Sequence, residues 1–195
     1  MAPIDRRKQV IQAAAQSFAL FGYKATTMDQ VAKIANVGKG TIYTFFTNKE
    51  ELFDEILHEV ILEMKHIAER ELDHEQTFAS NLFRILDSLL EFREQHELLI
   101  KLSQEVREFG TVQAKLGNAK VEGVITGYLE KELRLAQEKG EIKPCDPKVA
   151  AYIMLKLYIA LTSDWSQGNE PLGKEQIKQY IDLFLVHGLT TDIPV

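Results

Sequence analysis

Apolar residues recur at helical spacing along most of this 195-residue chain. Val10, Ala14, Phe18 and Phe21 share one face of a helix predicted over about 5–21, and Gly22 follows as its stop. Thr26 and Thr27 then stand three residues ahead of Asp29 and Gln30, which is a helix start signal, and Met28, Val31, Ile34 and Ala35 line one face behind it. Asn36 comes next, a residue type that accepts the left-handed backbone needed between two helices. A helix of about two turns begins near Gly38 or Lys39. Its Ile42, with Phe45 or Phe46, is expected to face inward against Val31 and Ile34, which leaves Lys39, Thr41, Tyr43 and Thr44 on the outer arc.

The run Asn48-Lys49-Glu50-Glu51 puts an acid three residues after a cap and opens a long amphipathic helix. Leu52, Phe53, Ile56, Leu57, Val60, Ile61 and Met64 carry it to about Leu72 with no breaker inside. Further helices are predicted over about 78–95, 98–109 and 116–139, the last one stopped by Gly140. Pro144 and Pro147 break the pattern, and Asp146 caps a helix with Pro147 at its first position. Over 149–161 only Lys156 is charged, so that helix is apolar nearly all round and needs cover on more than one side. Ile177, Tyr180, Ile181, Phe184 and Leu185 make the final helix similar. No strand pattern or repeat interrupts the series, and the expected class is all-α.

Charge changes this picture more than composition does. The chain is 45% hydrophobic and 27% charged, an ordinary balance, with a net charge of −6. Residues 1–50 nevertheless hold seven Lys and Arg against three Asp and Glu, a net +4, which leaves −10 for the remainder. Positive charge therefore sits on the segment with the short paired helices, and the acidic remainder would be repelled by a polyanion. Arg6, Arg7 and Lys8 oppose the dipole of the first helix, so they are either a solvated terminus or phosphate contacts. No apolar run approaches membrane-spanning length, no apolar stretch follows the basic N-terminus, and one cysteine, Cys145, forms no internal disulfide. A cytoplasmic location without membrane contact is expected.

Candidate chemistry is sparse. His58, His66 and His74 recur every eight residues, which turns a helix by about 80° beyond two full turns, so they do not share a face as metal ligands would. Neither a nucleophile elbow nor a Gly-rich phosphate loop is present, and no enzyme activity, metal or cofactor is expected.

The first third of the chain resembles the TetR-like (tetracycline-repressor type) family of transcriptional regulators. The resemblance rests on Phe18-Ala19-Leu20-Phe21-Gly22-Tyr23, Thr26-Thr27, Val31-Ala32, Val37, Lys39-Gly40-Thr41-Ile42-Tyr43, Phe46 and Asn48-Lys49-Glu50-Glu51-Leu52, in that order and spacing. Asn36 and Gly38 stand where the family often has Gly and a hydroxyl residue. The first accepts the same backbone, and the second gives up a cap hydroxyl.

The resemblance implies a helix-turn-helix DNA-binding domain over 4–64, with the motif at about 27–46, joined by the long helix to a helical effector-binding and dimerisation domain over 65–195. It further implies a homodimer through helices at about 148–166 and 174–188, which reads a palindromic operator and is released by a small-molecule effector. An effector-independent architectural or recruiting protein of the same fold is the alternative.

The expected DNA contacts are Thr27, Lys39, Gly40, Thr41, Tyr43, Thr44 and Lys49. Lys39 would reach guanine edges, Thr41 and Tyr43 phosphate or thymine methyls, and Thr27 and Lys49 phosphate, while Gly40 allows close approach. Packing is the competing reading for Tyr43 and the preferred one for Phe45 and Phe46. Effector-pocket candidates are Phe92, Gln104, Arg107, Tyr128, Tyr158 and Trp165, each also readable as core or solvated surface. Drug-like cations and acyl thioesters both remain compatible.

Overall fold

The computed structural model describes residues 5–95, 105 and 110–190. The helix expected over 98–109 falls outside them apart from Glu105. Among the described residues eight main helices follow one another: α1 (Arg6–Ala25), α2 (Met28–Ile34), α3 (Lys39–Tyr43), α4 (Lys49–Glu71), α5 (Phe78–Gln95), α6 (Val112–Glu138), α7 (Pro147–Ile159) and α8 (Lys174–Ile181). A π-helical turn at Ala160–Asp164 and a 3-10 turn at Trp165–Gln167 prolong α7; a second π-helical turn at Asp182–Val186 prolongs α8 into a last turn, α9 (His187–Leu189). Among the described residues the one extended pairing is an isolated bridge between Ile142 and Thr190. The architecture is all-helical, an N-terminal helix-turn-helix domain followed by a helical C-terminal domain.

Two compact units form, one from Met1–Glu63 with Arg93–Val121 and the other from Met64–Phe92 with Glu122–Val195. In the first, Asp5 caps α1 by accepting from the Lys8 amide at 3.1 Å. Val10, Ala14 and Phe18 are fully buried, as their spacing requires, but Phe21 is about half exposed. The reason lies next door: Gly22 takes a left-handed φ of 79°, which turns the chain and brings Tyr23 inward in place of Phe21. Tyr23 stacks on Phe18 at 5.9 Å and meets Phe53 of α4 edge-on at 4.9 Å, so three rings form the centre of this unit.

The two short helices follow their signals closely. Thr27 accepts from the Gln30 amide while Gln30 Oε1 accepts from the Thr27 amide, a complete capping box. Asn36 has φ 52°, and the bonds Val37 N–H to Ala32 O (3.0 Å) and Asn36 N–H to Lys33 O (3.2 Å) close a Schellman end to α2. Gly38 starts α3 with no side-chain cap. Ile42 is buried, and of the two alternatives Phe45 and Phe46 it is Phe46, just past α3 with its amide on Ile42 O at 3.0 Å, that turns inward; Phe45 is exposed, and so is Ile34, a residue expected inward. Asn48 caps α4 by accepting from the Glu51 amide at 2.8 Å, and the Glu51 carboxylate accepts from both the amide and the hydroxyl of Thr47.

In the second unit Leu86, Leu90, Leu133, Ala151, Met154, Ile177 and Ile181 share one core. Gly140, at φ 73°, ends α6 with the Glu141 amide on Ala136 O and its own amide on Gln137 O. Asp146 accepts from the Lys148 and Val149 amides at the head of α7. Asp87 of α5 meets Lys174 at 2.8 Å and Lys178 at 3.0 Å on α8.

Candidate functional site

The outer arc of α3 is open. Lys39, Gly40, Tyr43 and Thr44 are exposed and Thr41 is half-buried. A Cβ at Gly40 would meet nothing within 4 Å and its φ is not left-handed, so nothing inside the chain requires glycine there. Thr44 donates its hydroxyl to Thr41 O at 2.6 Å, which leaves the oxygen free to accept. Lys39 is not idle: its ammonium lies 2.8 Å from Asp29 Oδ1 on α2, a partner the sequence reading did not consider, and both side chains are more than half exposed.

The flanking candidates have internal work. Thr27 is exposed, and its hydroxyl closes the capping box of α2 with Gln30. The Lys49 ammonium donates to Tyr23 O at 2.8 Å and Thr26 O at 3.0 Å, and lies 4.3 Å from the Tyr23 ring centre. Burial lowers its pKa from the usual lysine value, with Glu50 and Glu105 opposing. It therefore pins the last turn of α1 and the residue after it to the start of α4. Arg7 pairs with Glu55 at 2.5 Å and lies over the Phe46 ring at 5.3 Å, so of the basic N-terminal trio one member braces α1 against α4.

The second unit contains a cavity of about 830 Å³ between α4, α5 and α6 residues, within the range of small-molecule sites. Met64, Leu72, Phe78, Leu82, Ile85, Leu89, Ile125 and Leu129 supply apolar wall. Two buried polar atoms in the wall, Tyr128 Oη and Glu132 Oε1, have no hydrogen-bond partner. Burial, then the nearby Glu132 and Glu69, pushes the Tyr128 phenol up to about 12.

Known proteins resemble this chain closely. The family described as "Bacterial regulatory proteins, tetR family" matches residues 10–56, which hold α1 to α3 and the start of α4. The uncharacterized HTH-type transcriptional regulator YhgD of Bacillus subtilis (strain 168) is 49% identical over 189 residues, 97% of this chain and 99% of that protein. This chain belongs to the TetR family of bacterial transcriptional regulators. A structure of SmeT with triclosan, SmeT being the repressor of the Stenotrophomonas maltophilia multidrug efflux pump SmeDEF, matches 96% of this regulator and 93% of that chain with TM-score 0.82 at 19% identity. The fatty acid degradation regulator FadR of Bacillus halodurans matches 95% and 97% with TM-score 0.77 at 20% identity.

The cavity of this TetR-family regulator reorders the pocket candidates. Tyr128 lines it. Phe92 is buried, Tyr158 packs against the core of the second unit, and Trp165 is exposed with its indole donating to Glu170 O at 3.0 Å; none of the three is in the cavity wall. Gln104 and Arg107 lie outside the described residues. Glu132 went unremarked in the sequence, although it follows Tyr128 by four on α6 and so shares its face. Among the described residues no cluster of His, Cys, Asp or Glu is placed to hold a metal, and no helix is long and apolar enough to cross a membrane.

The last helices of this regulator also carry outward apolar side chains. Val149, Tyr152 and Ile153 on α7 are exposed, as are Tyr180, Leu183 and Phe184 on α8 and its π-helical extension, where the rings of Tyr180 and Phe184 stack at 6.1 Å.

Proposed function

We propose that this TetR-family regulator is a repressor that reads a palindromic operator as a homodimer and lets go of it when a small molecule fills the cavity of its second unit. The observation that carries the DNA half is the outer arc of α3, where Lys39, Gly40, Tyr43 and Thr44 are exposed and the glycine has no internal reason to be one. Such an arc offers donors, a cation and a close backbone approach to a major groove. Lys39 reaches base edges after leaving Asp29; Thr41, Thr44 and Tyr43 take phosphate or thymine methyls, and Thr27 phosphate. Lys49 braces the domain first and reaches phosphate only through its remaining proton.

Dimerisation through 148–166 and 174–188 is supported by the exposed Tyr152, Ile153, Leu183 and Phe184, an apolar display unlike that of a monomer surface. Two-fold symmetry sets two copies of α3 roughly 34–36 Å apart, one turn of DNA. The effector half rests on the cavity and its unpaired polar atoms, and the solved SmeT–triclosan complex supports it by likeness of fold. A ligand that prefers the conformation with poor DNA affinity shifts the population toward it. The cavity also weighs against an effector-independent architectural protein.

Recovery of bound duplexes from a random DNA pool tests the reading. A palindrome recovered by the wild type and lost by Lys39→Ala and Tyr43→Ala supports it. Salt-sensitive binding without sequence preference, indifferent to both substitutions, defeats it.

A further inference from the structure

The cavity of the second unit has a chemically one-sided lining, and most of its polar groups are already engaged. Asn81 donates to Asp73 O at 2.8 Å and accepts from the Asp73 amide at 2.9 Å. Glu141 accepts from the Phe78 amide at the head of α5, and Lys139 donates to His74 O at 3.4 Å. Lys65 faces Glu69 at 3.8 Å. What remains buried and unpartnered is the Tyr128 hydroxyl and one carboxylate oxygen of Glu132, and Glu69 also acts on the same phenol.

We propose that the ligand of this cavity is a lipophilic amine, whose protonated nitrogen donates to Glu132 and Tyr128 while its apolar body lies along Leu82, Ile85, Ile125 and Leu129. The inference rests on the effector reading above and supplies its ligand class. A carboxylate oxygen held away from water without a partner is costly, and a cation beside it removes that cost through a charge-assisted hydrogen bond. The phenol keeps its proton at neutral pH, so its lone pairs accept from the same ammonium. A neutral carbonyl, such as that of an acyl ester or thioester, can accept from Tyr128 but leaves Glu132 unpaired. A free carboxylate adds a further negative charge beside Glu132 and Glu69, which repels it, and the lysines of the wall, Lys65, Lys131 and Lys139, are exposed to solvent rather than held against the unpaired atoms. Opposite charge and an apolar body together select one class.

Titration calorimetry of the full-length protein with decylamine, decanoate and decan-1-ol, equal in chain length, reads the head group alone. Decylamine is expected to bind at least about tenfold more tightly than either of the others. Glu132→Gln is expected to abolish that preference, and Tyr128→Phe to reduce it about threefold. A purely structural Glu132 would lower the melting temperature when replaced, whereas removal of a half-buried carboxylate with an unpaired buried oxygen keeps or raises it. Equal or tighter binding of decanoate or decanol, or an unchanged amine preference in Glu132→Gln, overturns the proposal. Displacement from the operator is followed separately. Amine binding that leaves DNA affinity intact defeats the effector reading and keeps the ligand class, and release of DNA by decanoate but not by decylamine overturns the ligand class alone.

Discussion

The Lys39 ammonium lies 2.8 Å from Asp29 on the neighbouring helix, with both side chains in solvent. On the proposed reading, DNA and Asp29 compete for the one cation on the outer arc of α3. The carboxylate also repels phosphate. Asp29→Ala is expected to raise operator affinity severalfold, and Lys39→Ala to lower it about tenfold or more, in fluorescence anisotropy titrations across a salt series. Both single variants binding like the wild type would remove Lys39 from the interface.

Lys49 behaves as a brace. With its ammonium on two carbonyls and the Tyr23 ring, Lys49→Ala is expected to destabilise the first unit by about 1–2 kcal/mol in urea unfolding. Operator affinity measured well below the unfolding range should fall less than for Lys39→Ala. The reverse pattern, intact stability with lost binding, would place Lys49 on phosphate.

Gly117 has no room for a side chain. A Cβ there would sit 2.7 Å from Leu57 Cδ1 and 3.1 Å from Phe53 Cε1, both side chains of the tightly packed α4 face. Gly117→Ala should cost about 1–3 kcal/mol by overpacking. Asn36→Gly, at φ 52°, should be neutral or slightly stabilising, and Asn36→Ala should cost about 1 kcal/mol. Chemical denaturation followed by circular dichroism separates the three.

Acid acts on Asp87. Hydrogen bonds from Lys174, then Lys178, hold its carboxyl below the usual aspartate range, so its folded pKa is depressed relative to the unfolded chain. Stability from the pair is complete above the unfolded pKa and disappears as pH falls through the folded one, that is, below about pH 4. Solvent reaches all three side chains, which limits the contribution to at most about 1 kcal/mol. Melting temperatures at neutral pH should be lower in Asp87→Asn than in the wild type, with the difference closing in acid. A constant difference would refute the linkage.

Dimerisation has its own signature. Tyr152→Glu combined with Phe184→Glu is expected to convert a dimer to a monomer in sedimentation and to weaken operator binding by an order of magnitude or more, because half-sites are then engaged singly. A dimer that survives both charges would move the interface elsewhere.

Local signals were legible because their causes are local. The capping box at Thr27 and Gln30, the left-handed Asn36, the glycine stop at Gly140 and the Asp146-Pro147 start each involve bonds within about five residues, and all are found in the structure. Helical spacing likewise placed Val10, Ala14, Phe18 and Ile42 inside. The same spacing failed for Phe21 and Ile34 and left Phe45 or Phe46 open, since periodicity names a face but the kink at Gly22 and the short span of α3 decide where that face ends.

What the chain alone determined is a helical fold, a basic N-terminal third with a helix-turn-helix, and the residues available to its outer arc. Only the tertiary structure decided how side chains distant in sequence are used. It joined Lys39 to Asp29 and Lys49 to the carbonyls of Tyr23 and Thr26, and it left Tyr128 and Glu132 unpaired in an apolar cavity away from Phe92, Tyr158 and Trp165. The physical reason is that helix formation follows from neighbours along the chain, whereas the pairing of a charge and the emptiness of a cavity depend on which helices meet.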